Sequence, residues 1–104
     1  MLVRELIVDL NYILVKGNAE TEISGIQFDS RKVVKNTMFV ATKGTAVDGH
    51  DFIKSTIQMG AVAIVCGYLP SEISDDVCYI QVNNSSLALA CIIVTGKQSG
   101  RAHV

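Results

Sequence analysis

No charge of either sign prevails in this chain. Lys and Arg total 9 and Asp and Glu total 10, so there is no long-range pull toward nucleic acid or an anionic membrane surface. Any anion must be held by local geometry. Cysteines are few: Cys66, Cys78 and Cys91 stand singly, in an odd number without paired spacing. That argues against a secreted disulfide scaffold and against a cysteine metal cluster, with or without His103. Each cysteine sits in an apolar run and is expected to be a buried free thiol. No apolar stretch approaches the ~20 residues that cross a bilayer. The first residues, with Arg4, Glu5 and Asp9, lack the basic-then-apolar order of a signal peptide. The expected location is reduced and cytoplasmic. There are no internal repeats and no low-complexity tracts, and the single proline is Pro70.

What is present suits one small domain. The 104 residues are 49% hydrophobic, enough for a real core. Leu2, Leu6, Ile7 and Leu10 are spaced for one face of a short helix. Residues 12–16 read as a strand closed by Gly17-Asn18. Residues 23–28 read as a second strand, with Gly25 marking a bulge. Asn36 suits a left-handed turn. The unbroken apolar run in 38–42 reads as a third strand buried on both faces. After the loop 43–49, Asp48 can cap a helix carrying Phe52, Ile53, Thr56 and Ile57 on one side and ending at Gly60. Strands are expected at 61–66 and 78–82. A last apolar segment, 87–94, is capped by Asn84 or Ser85, and a loose polar tail follows at 96–104. Strand, loop, helix and strand over 38–66 form a βαβ unit with parallel strands. The fold class is therefore α/β: a small single domain, residues 1–95, with a mixed β-sheet flanked by helices.

The stretch FDSRKVVKNTMFVATKGTAVDGHDF, residues 28–52, poses the functional question. Ligands of open α/β sheets gather beyond the carboxyl ends of parallel strands, and the loop 43–49 lies there. Gly44, Thr45 and Gly49 keep it small, a helix start follows, Ser30 offers a hydroxyl, and Arg31 and Lys43 offer charge. These are parts of a phosphate or nucleotide-diphosphate site. They are equally the parts of ordinary turns, with Asp48 a cap and Arg31 a solvated charge. Other chemistries fail. Ser30 lacks a G-x-S-x-G elbow, and no spacing makes His50 its base. Gly96-Lys97 lacks the rest of a phosphate loop, since Cys91 and Gln98 occupy positions that need Gly and Ser or Thr.

The order of four elements carries a resemblance. "I-x-G-I-x-x-DSR", "MFVATKG", "VDGHDFI" and "GAVAIVC" follow one another within EISGIQFDSRKVVKNTMFVATKGTAVDGHDFIKSTIQMGAVAIVC, residues 22–66. Each alone is weak; together they resemble the N-terminal domain of the Mur ligases. "ELIVDL" and "YIQV…SSLALA" extend the likeness over most of residues 1–90. Mur ligases are cytoplasmic enzymes of peptidoglycan biosynthesis, serving cell shape and division. The entry "GNAETEISGIQFDSR" is most similar to the MurE type, which adds the third amino acid, diaminopimelate or lysine, to UDP-MurNAc-L-Ala-D-Glu. The MurF type is the runner-up, and a standalone protein-interaction module is a further alternative. The resemblance implies that the substrate's UDP end meets Phe28, Ser30, Thr45, Ala46 and Val47, with Arg31 and His50 in support. It implies no catalytic residue, metal ligand or cofactor in this chain; ATP and Mg belong to the full-length ligase. The implied partners are a UDP-N-acetylmuramoyl peptide and the central ATPase and C-terminal domains, with no nucleic acid polymer and no membrane. The family's Gly-Thr-Asn-Gly-Lys-Thr loop does not occur in these 104 residues, and "CIIVTGKQSGRAHV" departs from the usual continuation. The chain is expected to be an isolated or truncated domain, inactive as a ligase alone.

Overall fold

A computed structural model describes residues 1–44 and 46–101, with the side chains of the last helix described as far as Ile93. The elements in chain order are α1 (Val3–Leu6), β1 (Tyr12–Lys16), β2 (Gly25–Gln27), β3 (Thr37–Val40), α2 (Ile53–Gln58), β4 (Ala61–Cys66), β5 (Cys78–Val82) and α3 (Ser85–Arg101). Two 3-10 turns, Ser30–Lys32 and Gly49–Phe52, precede β3 and α2. The five strands lie in the order β1-β5-β4-β3-β2. β2, β3, β4 and β5 run parallel, and β1 closes one edge antiparallel to β5. The mixed sheet and the parallel pairing of β3 with β4 are as the sequence predicts.

Alternation along the central strands builds two cores. Met38 and Val40 on β3, Ala63 and Val65 on β4, and Cys78, Ile80 and Val82 on β5 face Val3, Leu6, Ala88 and Ile92 of α1 and α3. Phe39, Ala41, Ile64, Cys66 and Tyr79 face the opposite way, toward Ile53 of α2 and Val33. All four β3 residues are buried, as a strand covered on both faces requires. Ala61 breaks the alternation, lying in the second core although Ala63 lies in the first. The register explains this: Thr37 pairs with Ala61 but Met38 pairs with Ala63. Val62 is an extra residue, a bulge at the entry of β4. The bulge expected at Gly25 is absent. β2 and β3 pair in unbroken register there, and the space beside Gly25 is open.

Turns follow the residue chemistry. Asn36 has φ 65° and Gly60 φ +119°. A Cβ on Gly60 would come within 2.6 Å of Lys35 Cα, so both its backbone angle and that close approach require glycine. Asn84 caps α3, its Oδ1 accepting from the Ser86 and Leu87 amides at 3.0 and 3.1 Å.

Three elements differ from expectation. α1 has one turn only, Val3–Leu6, with Leu2 before it in a bridge with Glu22. β2 stops at Gln27, leaving Phe28 outside the strand and 58% exposed. α3 passes residue 94 and runs to Arg101, where a loose tail was expected from residue 96. Gly96 and Gly100 lie within that span, although each costs about 1 kcal/mol against Ala in a helix interior. Residues 102–104 of that expected tail, His103 included, lie outside the described residues. Among the described residues no helix is long and apolar enough to cross a membrane. Cys66 and Cys78 are buried free thiols as expected, whereas Cys91 is only half-buried.

Candidate functional site

The parallel strands β2 and β3 deliver their carboxyl ends to the same edge of the sheet. A groove of about 530 Å³ opens there, lined by Phe28, Asp29, Ser30, Arg31, Phe39, Thr42, Gly44, Val47, Gly49 and Phe52. Its floor is the buried ring of Phe39, and its rim carries the exposed apolar side chains of Phe28, Val47 and Phe52. Four of the residues named from the sequence, Phe28, Ser30, Arg31 and Val47, thus meet in one place. Ala46 is exposed on the same loop but is not part of the lining. Thr45 lies outside the described residues. Lys43 is exposed and pairs through its backbone with Asp48, away from the groove wall.

Local turn chemistry shapes the polar side of the groove. Asp29 caps the Ser30–Lys32 turn by accepting the Arg31 amide at 3.0 Å. The same carboxylate accepts from Arg31 Nε at 3.1 Å and Nη2 at 3.0 Å. The Arg31 side chain holds the Asp29 carboxyl below its ordinary pKa, helped by the Arg31 amide, and Asp29 in turn raises that of Arg31. A guanidinium has five N–H donors, so Arg31 keeps free donors for a second anion. The Ser30 hydroxyl, half-buried in the groove, has no hydrogen-bond partner among the described residues.

Two amides of the anion cradle expected in the loop 43–49 are taken up by the protein itself. The Gly44 amide donates to Val47 O at 2.8 Å and the Gly49 amide to Thr42 O at 2.8 Å. The Asp48 carboxylate caps the following turn, accepting the His50 amide at 3.0 Å. The positive end of that turn already has its anion, and α2 behind it has six residues only. Among the described groove-lining residues, Arg31 is the cationic side chain, and Ser30 and Thr42 carry hydroxyls.

His50 points away from the groove, into a second depression beside α2. Its Nδ1 lies 2.7 Å from Asp48 Oδ1, and its Nε2 accepts the Gly67 amide at 2.9 Å. Tyr68 stacks on the ring with centroids 4.1 Å apart and donates its hydroxyl to Asp48 Oδ2 at 3.1 Å. The Ser30–His50 hydrolase pairing therefore has no geometry behind it. Among the described residues no group of three His, Cys, Asp or Glu is placed to hold a metal.

Sequence reasoning missed Thr42, Phe39 and Phe52 as groove residues. Phe52 was expected on the buried face of its helix; it lies in the 3-10 turn instead, 37% exposed. The tighter turn rotates it off the 3.6-residue period by which it was assigned. Tyr68 could have been found only from the fold, since it is 18 positions beyond His50.

Comparison with known proteins bears on this geometry. Residues 22–94, well over half of the chain, match the Mur ligase family, catalytic domain. The chain is 44% identical over 93 residues to the UDP-N-acetylmuramoyl-L-alanyl-D-glutamate--2,6-diaminopimelate ligase of Cytophaga hutchinsonii, covering 88% of this chain and 19% of that one. It is 43% identical to the ligase of the same name from Parabacteroides distasonis, with 89% and 19% covered. Crystal structure II of MurF from Acinetobacter baumannii superposes with a TM-score of 0.79 at 20% identity, over 94% of this chain and 21% of that one. MurF ligase from Thermotoga maritima in complex with ADP gives 0.57 at 33% identity, over 69% and 16%. The chain thus spans about one fifth of the length of the curated relatives it matches. The A. baumannii likeness speaks for the fold alone, while the match along the sequence carries the family: this chain belongs to the Mur ligase family.

Proposed function

We propose that the groove at the ends of β2 and β3 holds the UDP end of a UDP-N-acetylmuramoyl peptide, and that the chain is the N-terminal, substrate-binding domain, residues 1–95, of a MurE-type ligase. One observation carries the reading: an exposed aromatic ring at Phe28, a hydroxyl at Ser30 without a partner among the described residues, and a partly free guanidinium at Arg31 converge on one open groove. A uracil ring can lie against Phe28 and Val47. A diphosphate can take hydrogen bonds from Ser30 and Arg31. Thr45 and Ala46 belong to the same proposed contact by their place in the loop.

The MurE reading is favoured over the MurF one by the relatives along the sequence. The curated ligases at 38–44% identity are named for the addition of 2,6-diaminopimelate to UDP-N-acetylmuramoyl-L-alanyl-D-glutamate. The A. baumannii MurF structures match at 20–22%, where only the fold is shared. In the intact ligase, further domains would bring ATP, magnesium and the amino-acid acceptor to the far end of the substrate, in the cytoplasm. The 104 residues contain no phosphate loop, so this chain contributes binding and orientation, and by itself no amide-bond chemistry.

The test is an amide-shift titration of the chain with UDP and, separately, with ATP. UDP should move the resonances of Phe28, Ser30, Arg31 and Val47, weakly, because the rest of the substrate and its other walls are missing. A response to ATP at these residues with none to UDP would overturn the proposal.

A further inference from the structure

Beyond the groove lining itself, a partly buried hydrogen-bond network stands behind one of its walls. Asp48 is held from three directions. Its Oδ1 accepts the His50 amide at 3.0 Å and lies 2.7 Å from His50 Nδ1, and its Oδ2 accepts the Tyr68 hydroxyl at 3.1 Å. Because His50 Nε2 accepts the Gly67 amide, that nitrogen carries no proton. The ring proton is on Nδ1 and donates to Asp48. The tautomer follows from the hydrogen-bond pattern. The His50 side chain is 5% exposed, and Tyr68 covers one ring face. Both nitrogens are satisfied, so the ring is a fixed strut between the loop after β3 and the first residue after β4.

The strut bears on the ligand groove through the backbone. Asp48 pairs with Lys43 across the neck of the loop, and the Gly44 amide closes on Val47 O. Gly44 and Val47, between those two anchors, are groove lining. We infer that Asp48, His50 and Tyr68 form a clasp that sets the shape of this wall, His50 acting through Asp48 as a positioning residue for UDP binding. The inference rests on the groove being the UDP site. It assigns to His50 a contact with Asp48 and Gly67, not with the ligand.

Two isosteric variants separate positioning from space filling. His50→Asn places an amide where Nδ1 was and keeps a donor for Asp48. His50→Gln is larger, reaches toward Gly67 and gives up that donor. Tyr68→Phe keeps the stack and removes the hydroxyl's bond to Asp48 Oδ2. Each variant is titrated with UDP and checked by thermal unfolding and by its ligand-free amide spectrum. Affinity should fall roughly 5- to 30-fold in His50→Gln, the effect of losing one or two good interactions. It should fall less in Tyr68→Phe and least in His50→Asn, with the Gly44 and Val47 amides shifted in the same order. Nitrogen spectra of the parent should show His50 protonated at Nδ1 and bare at Nε2. A space-filling role would reverse the order, with Gln nearest the parent. That order, or folded variants all binding within twofold of the parent, would overturn the clasp. If the parent chain takes up no UDP at all, the groove reading fails first and the positioning role with it. If the parent binds and only the order is wrong, the groove reading stands and the clasp alone falls.

Discussion

Gly49 stands against Thr42 so closely that a Cβ on it would lie 2.8 Å from the Thr42 carbonyl oxygen and 2.9 Å from the Thr42 nitrogen. Its amide donates to that same carbonyl at 2.8 Å. The contact closes the loop that walls the groove. Gly49→Ala must push two backbone segments apart and is expected to cost about 1–3 kcal/mol, as overpacking does. Gly25→Ala is the internal control, since nothing lies within 4 Å of that position. It should be neutral or stabilise by about 0.4–1 kcal/mol through the unfolded chain. Urea unfolding of the two variants checks both, and equal losses would contradict the assignment of Gly49 as a packing glycine.

Ser30→Ala is expected to weaken UDP binding and leave the fold intact. The hydroxyl has no partner among the described residues, so its loss breaks nothing within the domain. A hydrogen bond to a charged group is worth about 1.5–3 kcal/mol. The titration midpoint should rise accordingly while the unfolding midpoint stays within about 0.5 kcal/mol of the parent. A destabilised variant with unchanged UDP affinity would move Ser30 from the site to the scaffold.

Much of this was legible in the residues, for definite reasons. The buried runs 61–66 and 78–82 fix their strands because nothing else accommodates so short an apolar run between turns. Asp48 and Asn84 act as caps because a short side-chain oxygen before a helix has one favourable use. What was not legible involves contacts far apart in sequence or a change of helical period. The Tyr68–His50 stack joins two loops that only the parallel pairing of β3 and β4 brings together. Phe52 was misplaced because a 3-10 turn shifts the register by which its face was read. The loop 43–49 was read as small enough to form part of a phosphate site, yet the amides of Gly44 and Gly49 are used by the loop itself. Composition gives the number of donors in a loop, and only geometry tells which of them remain free.

Stability should depend on the Asp48 carboxyl in acid. The His50 amide, then the His50 ring and Tyr68, hold its pKa below the ordinary value. In the unfolded chain it takes its proton at about pH 4; in the folded chain it does so lower. Between those values the unfolded state binds more protons, so stability rises with pH in that window. The contribution is fully present above about pH 4 and is lost as pH falls through the folded value. Asp29, held low by Arg31, acts in the same direction. Urea midpoints measured from about pH 2 to 5 should therefore climb less steeply in Asp48→Asn than in the parent. Parallel curves would mean that Asp48 titrates alike in both states and that the clasp is not closed in solution.

Thiol chemistry reports on the sheet from inside. Cys66 ends β4 with no exposed surface, its Sγ 3.8 Å from Ile80 O, and burial pushes its pKa up to about 11. Cys78 on β5 is also buried and shifted upward by burial. The thiolate is the reactive form, so both should resist a disulfide reagent at pH 8 in the folded chain. Cys91, half-buried on α3, is expected to react first and alone. The second and third equivalents should appear only at the rate of unfolding, and urea that opens the domain should release them together. Tandem mass spectrometry of the first product identifies the site. Early labelling at Cys66 would show that the end of β4 opens without global unfolding, and the anchor that Gly67 gives His50 would then open with it.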